Sequence, residues 1–202
     1  IVVEMDYPPR MRNNRHDVGR DERLIVAQAD DQRAAAPRRD HQIIVSGEQD
    51  GERERSFQPL HCVEHGVARL VYASSNHAVG RTPRLEQLTT DARPRPDTFY
   101  GVGKVAAEAV MSLYADRYAL DTVACRIGSF LPEPETVRHL STWLSHDDCV
   151  RMVEASLTTP APGFAALYGI SANTRGWWDL EPGRSLGYDP QDDAEDFAGQ
   201  IT

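Results

Sequence analysis

Strand-like apolar runs alternate with helix-like segments after residue 66, and this alternation limits the fold more than any other feature. The strand-like runs cover residues 69–74, 122–127 and 164–170. Between the first two, apolar residues recur at helical spacing from about residue 100 to residue 118. Strands that alternate with helices are typical of βαβ units. The sequence therefore predicts an α/β fold with a parallel sheet and flanking helices.

Local signals indicate where some of these elements begin and end. Ser145 is followed three residues later by Asp148, a pattern that resembles a capping box and predicts a helix to about residue 157. Asp147 and Asp148 are expected to complement the dipole of that helix rather than to act as catalytic acids. Residues 76–97 are rich in Pro and Arg and are predicted to form a loop.

Residues 1–66 have a different character from the rest of the chain. They contain ten arginines and thirteen acidic residues without a hydrophobic period. Two short apolar runs, 24–27 and 43–45, are each compatible with a short strand. The chain opens without Met and without a basic segment followed by an apolar one, so we expect a fragment that carries no signal peptide.

Charge and cysteine content limit the kinds of partner. The formal net charge of −9 argues against nucleic acid or an anionic membrane as the main partner. No apolar run reaches the length of a membrane span. Three cysteines cannot all pair with one another, so we expect a reducing, cytoplasmic location.

Lys104 is the only lysine of the chain, whereas the other 21 basic residues are arginines. It follows Tyr100 by four residues, so one face of a helix can carry both the phenol and the ammonium group. A nearby positive charge favours phenolate and lowers the pKa of a tyrosine from about 10. Such a tyrosine can act as a general base. The spacing alone also fits an ordinary surface lysine.

The first predicted strand leads into a polar sequence, Ser74-Ser75-Asn76-His77. Ligands of open parallel α/β sheets bind outside the carboxyl ends of the strands. Ser75 is therefore expected to face a crevice near the start of the helix that carries Tyr100 and Lys104. A serine hydroxyl, a tyrosine phenol and a lysine ammonium group together can hold and move a proton.

This Ser–Tyr–Lys set on an α/β sheet resembles the extended short-chain dehydrogenase/reductase superfamily. Within it, the chain is most similar to the uronate dehydrogenases over about residues 64–202. The resemblance is carried by six segments in order: ASSNHAVG (73–80), RPDTFYGVGK (95–104), RIGSF (126–130), STWLSHDD (141–148), YGISANTRGWWD (168–179) and LGYDPQDDAE (186–195).

The resemblance implies a Rossmann-like fold and the oxidation of glucuronate or galacturonate at C1, with hydride passing to NAD and an aldarolactone as product. It assigns Tyr100 as the base and Lys104 as its partner, with both also contacting NAD. Ser75 would hold the C1 oxygen. The partner would be a small sugar acid, and self-association as a homo-oligomer stays open.

The resemblance also assigns the contacts of the sugar. Asn76 and His77 would contact sugar hydroxyls, Ser129 would contact the substrate, and Arg138 would bind the C6 carboxylate. A guanidinium group matches a carboxylate through two parallel hydrogen bonds. From the residues alone, a solvated loop arginine and a loop histidine that caps backbone groups remain open for Arg138 and His77.

The nucleotide half of such a fold cannot be recognised in this sequence. The family's G-x-x-G-x-x-G turn, which would hold the pyrophosphate of NAD, has no counterpart before residue 67. We therefore expect an incomplete dinucleotide half, with residues 1–63 an atypical segment, either disordered or out of frame, and 64–202 the C-terminal part of a dehydrogenase domain. Sequencing the source gene tests whether this segment is out of frame. An intact reading frame supported by expressed peptides would refute that hypothesis.

Other classes of function remain as alternatives. A nucleotide-sugar epimerase or dehydratase usually has a larger C-terminal region than the 98 residues that follow Lys104. An inactive fragment without an NAD site is the third hypothesis. The pairs Cys62-x-x-His65 and His146-x-x-Cys149 have spacings found in zinc sites, but short spacings of this kind are common, and no metal is expected.

Overall fold

A computed structural model of the chain describes residues 41–44, 58–84 and 87–201. The predicted strand at 24–27 and most of the segment 1–63 lie outside these residues. The strands are β1 (His41–Ile44), β2 (Arg69–Ser75), β3 (Asp121–Ile127), β4 (Ser129–Phe130), β5 (Trp143–Leu144) and β6 (Phe164–Gly169). The helices are α1 (Gln58–Glu64), α2 (Phe99–Tyr118), α3 (His139–Thr142), α4 (His146–Thr158) and α5 (Glu181–Ser185), with 3-10 helices at Asn76–Ala78 and Ala194–Gln200.

Four of the strands form a parallel sheet in the order β1-β2-β3-β6. The predicted α/β fold with a parallel sheet is thereby confirmed. Strand β1 overlaps the apolar run at 43–45 and pairs with the start of β2. The last residue of β2, Ser75, lies opposite Ile127 at the end of β3, so both strands end at the same edge. Strands β4 and β5 form a separate parallel pair beyond that edge.

Helices cover both faces of this sheet. Val71 of β2 and Val123 of β3 belong to a buried apolar cluster that includes Met152 of α4. Their neighbours along the strands, such as Leu70, belong to a second cluster that includes Met111 of α2. Parallel sheets are usually buried on both faces in this way. The arrangement is the Rossmann-like architecture that the sequence predicts.

Side-chain caps begin both long helices. Thr98 Oγ1 accepts a hydrogen bond of 2.9 Å from the N–H of Gly101 at the start of α2. Ser145 Oγ accepts one of 2.9 Å from the N–H of Asp148, which confirms the predicted cap of α4. The carboxylate of Asp148 is fully buried and also accepts backbone N–H groups at residues 191 and 192, at 2.8 and 3.1 Å. Asp148 therefore anchors the C-terminal segment as well as its own helix.

Two further properties concern the described part of the chain. None of its helices combines the length and the apolar character needed to cross a bilayer. Its three cysteines, Cys62, Cys125 and Cys149, are buried free thiols. Burial raises the pKa of Cys125 to about 12.

Candidate active site

Ser75 ends β2 and begins the short 3-10 helix Asn76–Ala78. Its buried Oγ accepts a hydrogen bond of 3.2 Å from the N–H of His77 and lies 3.4 Å from Oδ1 of Asn76. A hydroxyl has one donor and two acceptor sites, and a contact of 3.4 Å is long for an O–H donor. The proton of Ser75 can therefore turn towards a ligand oxygen while the cap stays in place.

Lys104 is buried beneath the ring of Tyr100. Only 3% of its surface is exposed, and Nζ donates a hydrogen bond of 2.7 Å to the carbonyl of Ala73 in β2. Nζ lies 5.1 Å from the ring centroid of Tyr100 and 4.7 Å from that of Tyr72. A buried ammonium group is stable only where carbonyl oxygens and aromatic faces replace water. The ammonium group and the phenol ring thus lie together at the carboxyl end of β2.

Gly101 lets the first turn of α2 approach the 3-10 helix closely. A Cβ atom at this position would lie 2.3 Å from the carbonyl oxygen of His77, so any side chain would push the two segments apart. The ring of His77 consequently meets the ring of Tyr100 edge to face, with centroids 5.8 Å apart and planes at 81°. The structure therefore brings five of the residues predicted for the site into one group: Ser75, Asn76, His77, Tyr100 and Lys104.

Ser129 and Arg138 belong to a neighbouring group that Thr142 holds together. Oγ of Ser129 lies 2.9 Å from Oγ1 of Thr142, which lies 3.3 Å from the backbone oxygen of Arg138. Ser129 is two residues beyond the partner of Ser75 in β3, so it lies at the same edge of the sheet. Arg138 is exposed, and its guanidinium group forms no hydrogen bond or ion pair with the part of the chain that the structure describes.

The charge of Arg138 acts on the histidine that follows it. Burial lowers the pKa of His139; the charge of Glu135 opposes this effect, and the charge of Arg138 adds to it. Sequence reasoning did not identify Thr142, since neither its spacing nor its flanking residues distinguish it.

A buried ion pair lies behind Lys104, and sequence reasoning missed it. Glu108 is one helical turn after Lys104, and Arg126 lies on β3; their side chains are 7% and 5% exposed. The guanidinium group donates to the carboxylate through Nη2 at 2.8 Å and Nε at 3.1 Å, and Ser74 Oγ donates to the same carboxylate. Burial alone would lower the pKa of Arg126, but hydrogen bonds and charge from Glu108 outweigh it and raise that pKa.

Arg126 and the neighbouring Tyr168 also hold the loop that contains Thr89 and Thr90. Nη1 of Arg126 donates a hydrogen bond of 2.9 Å to the carbonyl of Thr90, and the hydroxyl of Tyr168 donates one of 3.1 Å to the carbonyl of Thr89. One signal in the sequence points to Glu108: it continues the four-residue spacing of Tyr100 and Lys104. A carboxylate on the buried face of a helix requires a partner.

The donor groups of the described residues decide whether this region could hold a metal ion or a cofactor. Among the described side chains, no group of three or more His, Cys, Asp or Glu residues could hold a metal ion. Lys104 and Tyr100 together offer an ammonium and a phenol at the strand end, which fits the ribose end of a dinucleotide. No described residue supplies a glycine-rich turn between a strand and a helix.

Comparisons with known proteins agree with this arrangement. The sequence matches the NAD dependent epimerase/dehydratase family over residues 60–160. It is 44% identical over 138 residues to a uronate dehydrogenase of Pseudomonas putida and 46% identical over 138 residues to one of Agrobacterium fabrum. Each alignment covers 68% of this chain and 52% of the relative, so the chain spans about half the length of these curated relatives.

One solved structure adds a cofactor to the comparison. It is a tyrosine-to-alanine mutant of uronate dehydrogenase from Agrobacterium tumefaciens complexed with NAD. The two chains are 44% identical, with a TM-score of 0.67 over 69% of this chain and 53% of the other. The resemblance to uronate dehydrogenases that the sequence indicates is confirmed. By its family match, its fold and these relatives, the chain belongs to the NAD dependent epimerase/dehydratase family.

Proposed function

We propose that this chain carries the catalytic and substrate-binding part of an NAD-dependent uronate dehydrogenase. Its reaction would be oxidation of glucuronate or galacturonate at C1 to an aldarolactone. The observation that carries the proposal is the burial of the only lysine, Lys104, beside Tyr100 at the strand end that bears Ser75. The similarity to uronate dehydrogenases supports the choice of substrate.

The proposed chemistry is the loss of a proton from the C1 hydroxyl and of a hydride from C1 of the cyclic sugar. Tyr100, as phenolate, takes the proton of the C1 hydroxyl, and the ammonium group of Lys104 favours the phenolate form by its charge. Ser75 donates a hydrogen bond to the C1 oxygen and holds it near Tyr100. NAD, when bound, supplies the acceptor for the hydride that leaves C1.

The remaining site residues would select the acid. Arg138 has an exposed guanidinium group, which suits a carboxylate that must arrive from solvent. Asn76 and His77 would contact sugar hydroxyls, and Ser129 would contact the substrate from the neighbouring strand end. A neutral sugar lacks the carboxylate and should bind less well for that reason.

Tyr100 and Lys104 would bind the nicotinamide ribose of NAD. In this proposal, residues 64–202 form the C-terminal part of a dehydrogenase domain and residues 1–63 an atypical segment. The pyrophosphate of NAD has no glycine-rich turn among the described residues to receive it, which makes cofactor affinity the first property to measure.

The test is formation of NADH by the purified chain with glucuronate or galacturonate and NAD. Turnover that disappears in Tyr100→Phe is the expected result, because the variant keeps the ring but cannot accept the proton. Glucose serves as the matched neutral substrate and should react poorly. Turnover that persists in Tyr100→Phe would contradict the assignment of the base.

Two other outcomes would identify the alternative functions. Failure to bind NAD would identify an inactive fragment. Conversion of a nucleotide sugar without net formation of NADH would identify an epimerase.

A further inference from the structure

The imidazole of His77 is in hydrogen-bond contact with the carboxylate of Asp97. Nδ1 of His77 lies 2.7 Å from Oδ1 of Asp97, just before the cap of α2. The backbone N–H of Asp97 also donates a hydrogen bond of 3.4 Å to the carbonyl of His77. The two residues are 20 apart in the sequence, so the fold brings them together.

The carboxylate of Asp97 is fitted closely to its surroundings. A Cβ atom at Gly80 would lie 2.4 Å from the carboxyl carbon of Asp97, so glycine leaves the space that this group occupies. The side chains of Asp97 and His77 are 27% and 36% exposed, and the imidazole also meets the Tyr100 ring edge to face. The imidazole therefore contacts both the carboxylate and the proposed base.

An ionised carboxylate only accepts hydrogen bonds, so the nitrogen that faces it must carry a proton. In a neutral imidazole the other nitrogen then has a lone pair and accepts. We propose that Asp97 is a positioning residue that fixes His77 as the Nδ1–H tautomer, so that Nε2 of neutral His77 accepts a hydrogen bond from a sugar hydroxyl.

This inference rests on the proposed function for the nature of the ligand, but not for the tautomer. It gives the site a chemical requirement: the group that meets His77 must be a hydroxyl with a proton to donate. Without Asp97, the single ring proton of neutral His77 can lie on either Nδ1 or Nε2, so Nε2 is not always an acceptor. The substrate would then lose one well-oriented hydrogen bond.

The first test is the tautomer of His77 in the full-length chain, read from its ring nitrogens by two-bond proton–nitrogen NMR. The spectrum is taken at about pH 9, well above the ordinary histidine pKa of about 6.5, and the signals are assigned by their loss in His77→Gln. The parent should show a protonated Nδ1 and an unprotonated Nε2. In Asp97→Ala the Nδ1–H tautomer should decrease. A parent with protonated Nε2, or an unchanged tautomer in Asp97→Ala, would overturn the proposal.

Two further variants guard against a loss of folding. Asp97→Asn keeps the shape, but its amide can donate as well as accept, so the Nδ1–H tautomer should again decrease. Asp91→Asn is the matched control, because Asp91 is an exposed acid in the same loop that binds Thr89 rather than a histidine. It should leave the His77 signals unchanged.

The second test concerns the ligand and needs no turnover. Glucuronate added to the parent should shift the Nε2 signal of His77, and in Asp97→Ala this shift should be lost or reduced. In an active enzyme, KM for the uronate should rise about 10-fold, the cost of one hydrogen bond, with kcat and KM for NAD little changed. A change in kcat alone would contradict the assigned contact. An absence of turnover would count against the proposed function, while the tautomer still decides the role of Asp97.

Discussion

The buried pair of Glu108 and Arg126 provides a sharp test of the energetics behind the site. In Glu108→Gln the side chain keeps its shape and one acceptor oxygen but loses its charge. The guanidinium group of Arg126 then stays in a position where 5% of its side chain is exposed, without a counter-charge from Glu108. Ser74 Oγ, which donates to the same carboxylate, is also left with a weaker acceptor.

The contacts set the expected size of the effect. Removing one partner of a buried ion pair typically costs about 3–5 kcal/mol, because the other charge is left uncompensated. The remaining amide oxygen can still accept one hydrogen bond, so we expect the lower end, about 3 kcal/mol in the free energy of unfolding. For a chain of 202 residues this corresponds to a decrease in Tm of about 6–12 °C.

Urea unfolding followed by circular dichroism measures this cost. The matched control is Glu181→Gln, since Glu181 forms an arginine pair of 2.6 Å in which its side chain is 69% exposed. Exposed pairs contribute less than about 1 kcal/mol, so the control should change little. The apolar double variant Glu108→Leu with Arg126→Met should recover much of the loss. Equal costs for Glu108→Gln and Glu181→Gln would refute the reasoning.

Three further changes test other parts of the structure. Gly101→Ala should lower the free energy of unfolding by about 1–3 kcal/mol, because there is no room for the added Cβ. The control Gly199→Ala, whose Cβ would meet nothing within 4 Å, should leave stability unchanged. The Tm values of the two variants provide the comparison. Asp148→Ala should lower the free energy of unfolding by about 3 kcal/mol, since the carboxylate is fully buried and accepts backbone N–H groups. Asp147 is exposed, so the control Asp147→Ala should lower it by less than about 1 kcal/mol. Urea unfolding measures both values. Burial raises the pKa of Cys125 from 9.0 to about 12, so the unfolded thiol ionises first and this thiol should lower stability from about pH 9 upward by about 1.4 kcal/mol per pH unit. Cys149, whose pKa burial also raises to about 12, adds a slope of its own. Cys125→Ala should therefore reduce the slope, without abolishing it, in unfolding curves taken at several pH values, and an unchanged slope would contradict the cause.

The three longer strands and the two long helices after residue 66 could be predicted to within one residue. Strand β2 was predicted over 69–74 and is Arg69–Ser75, and helix α2 was predicted from about 100 to 118 and is Phe99–Tyr118. Strand β2 is buried along almost its whole length. In α2 the apolar spacing located the helix but not its buried face, because Val102 and Leu113 are about half exposed, whereas Lys104 and Glu108 are buried. The two-residue strands β4 and β5 carry no such period, which is why the sequence did not reveal them.

The proposed catalytic residues could also be named from the sequence, because they are close along the chain or recognisable by resemblance. Their supporting contacts could not. Glu108 meets Arg126 across 18 residues, and Asp97 meets His77 across 20. Each of these charged residues resembles a solvated one until the fold is known. Long-range polar pairs are set by tertiary packing, which local propensity does not encode.

The position of these supporting contacts has a consequence for activity. Ala73, Tyr72 and His77 are among the residues that contact Tyr100 and Lys104. All three lie within residues 60–160, the part of the chain that matches the NAD dependent epimerase/dehydratase family. The family's pyrophosphate turn belongs to the preceding part, where the sequence offers no counterpart. A chain with the expected His77 tautomer but no affinity for NAD would locate the defect in cofactor binding, whereas an altered tautomer would locate it in the catalytic group itself.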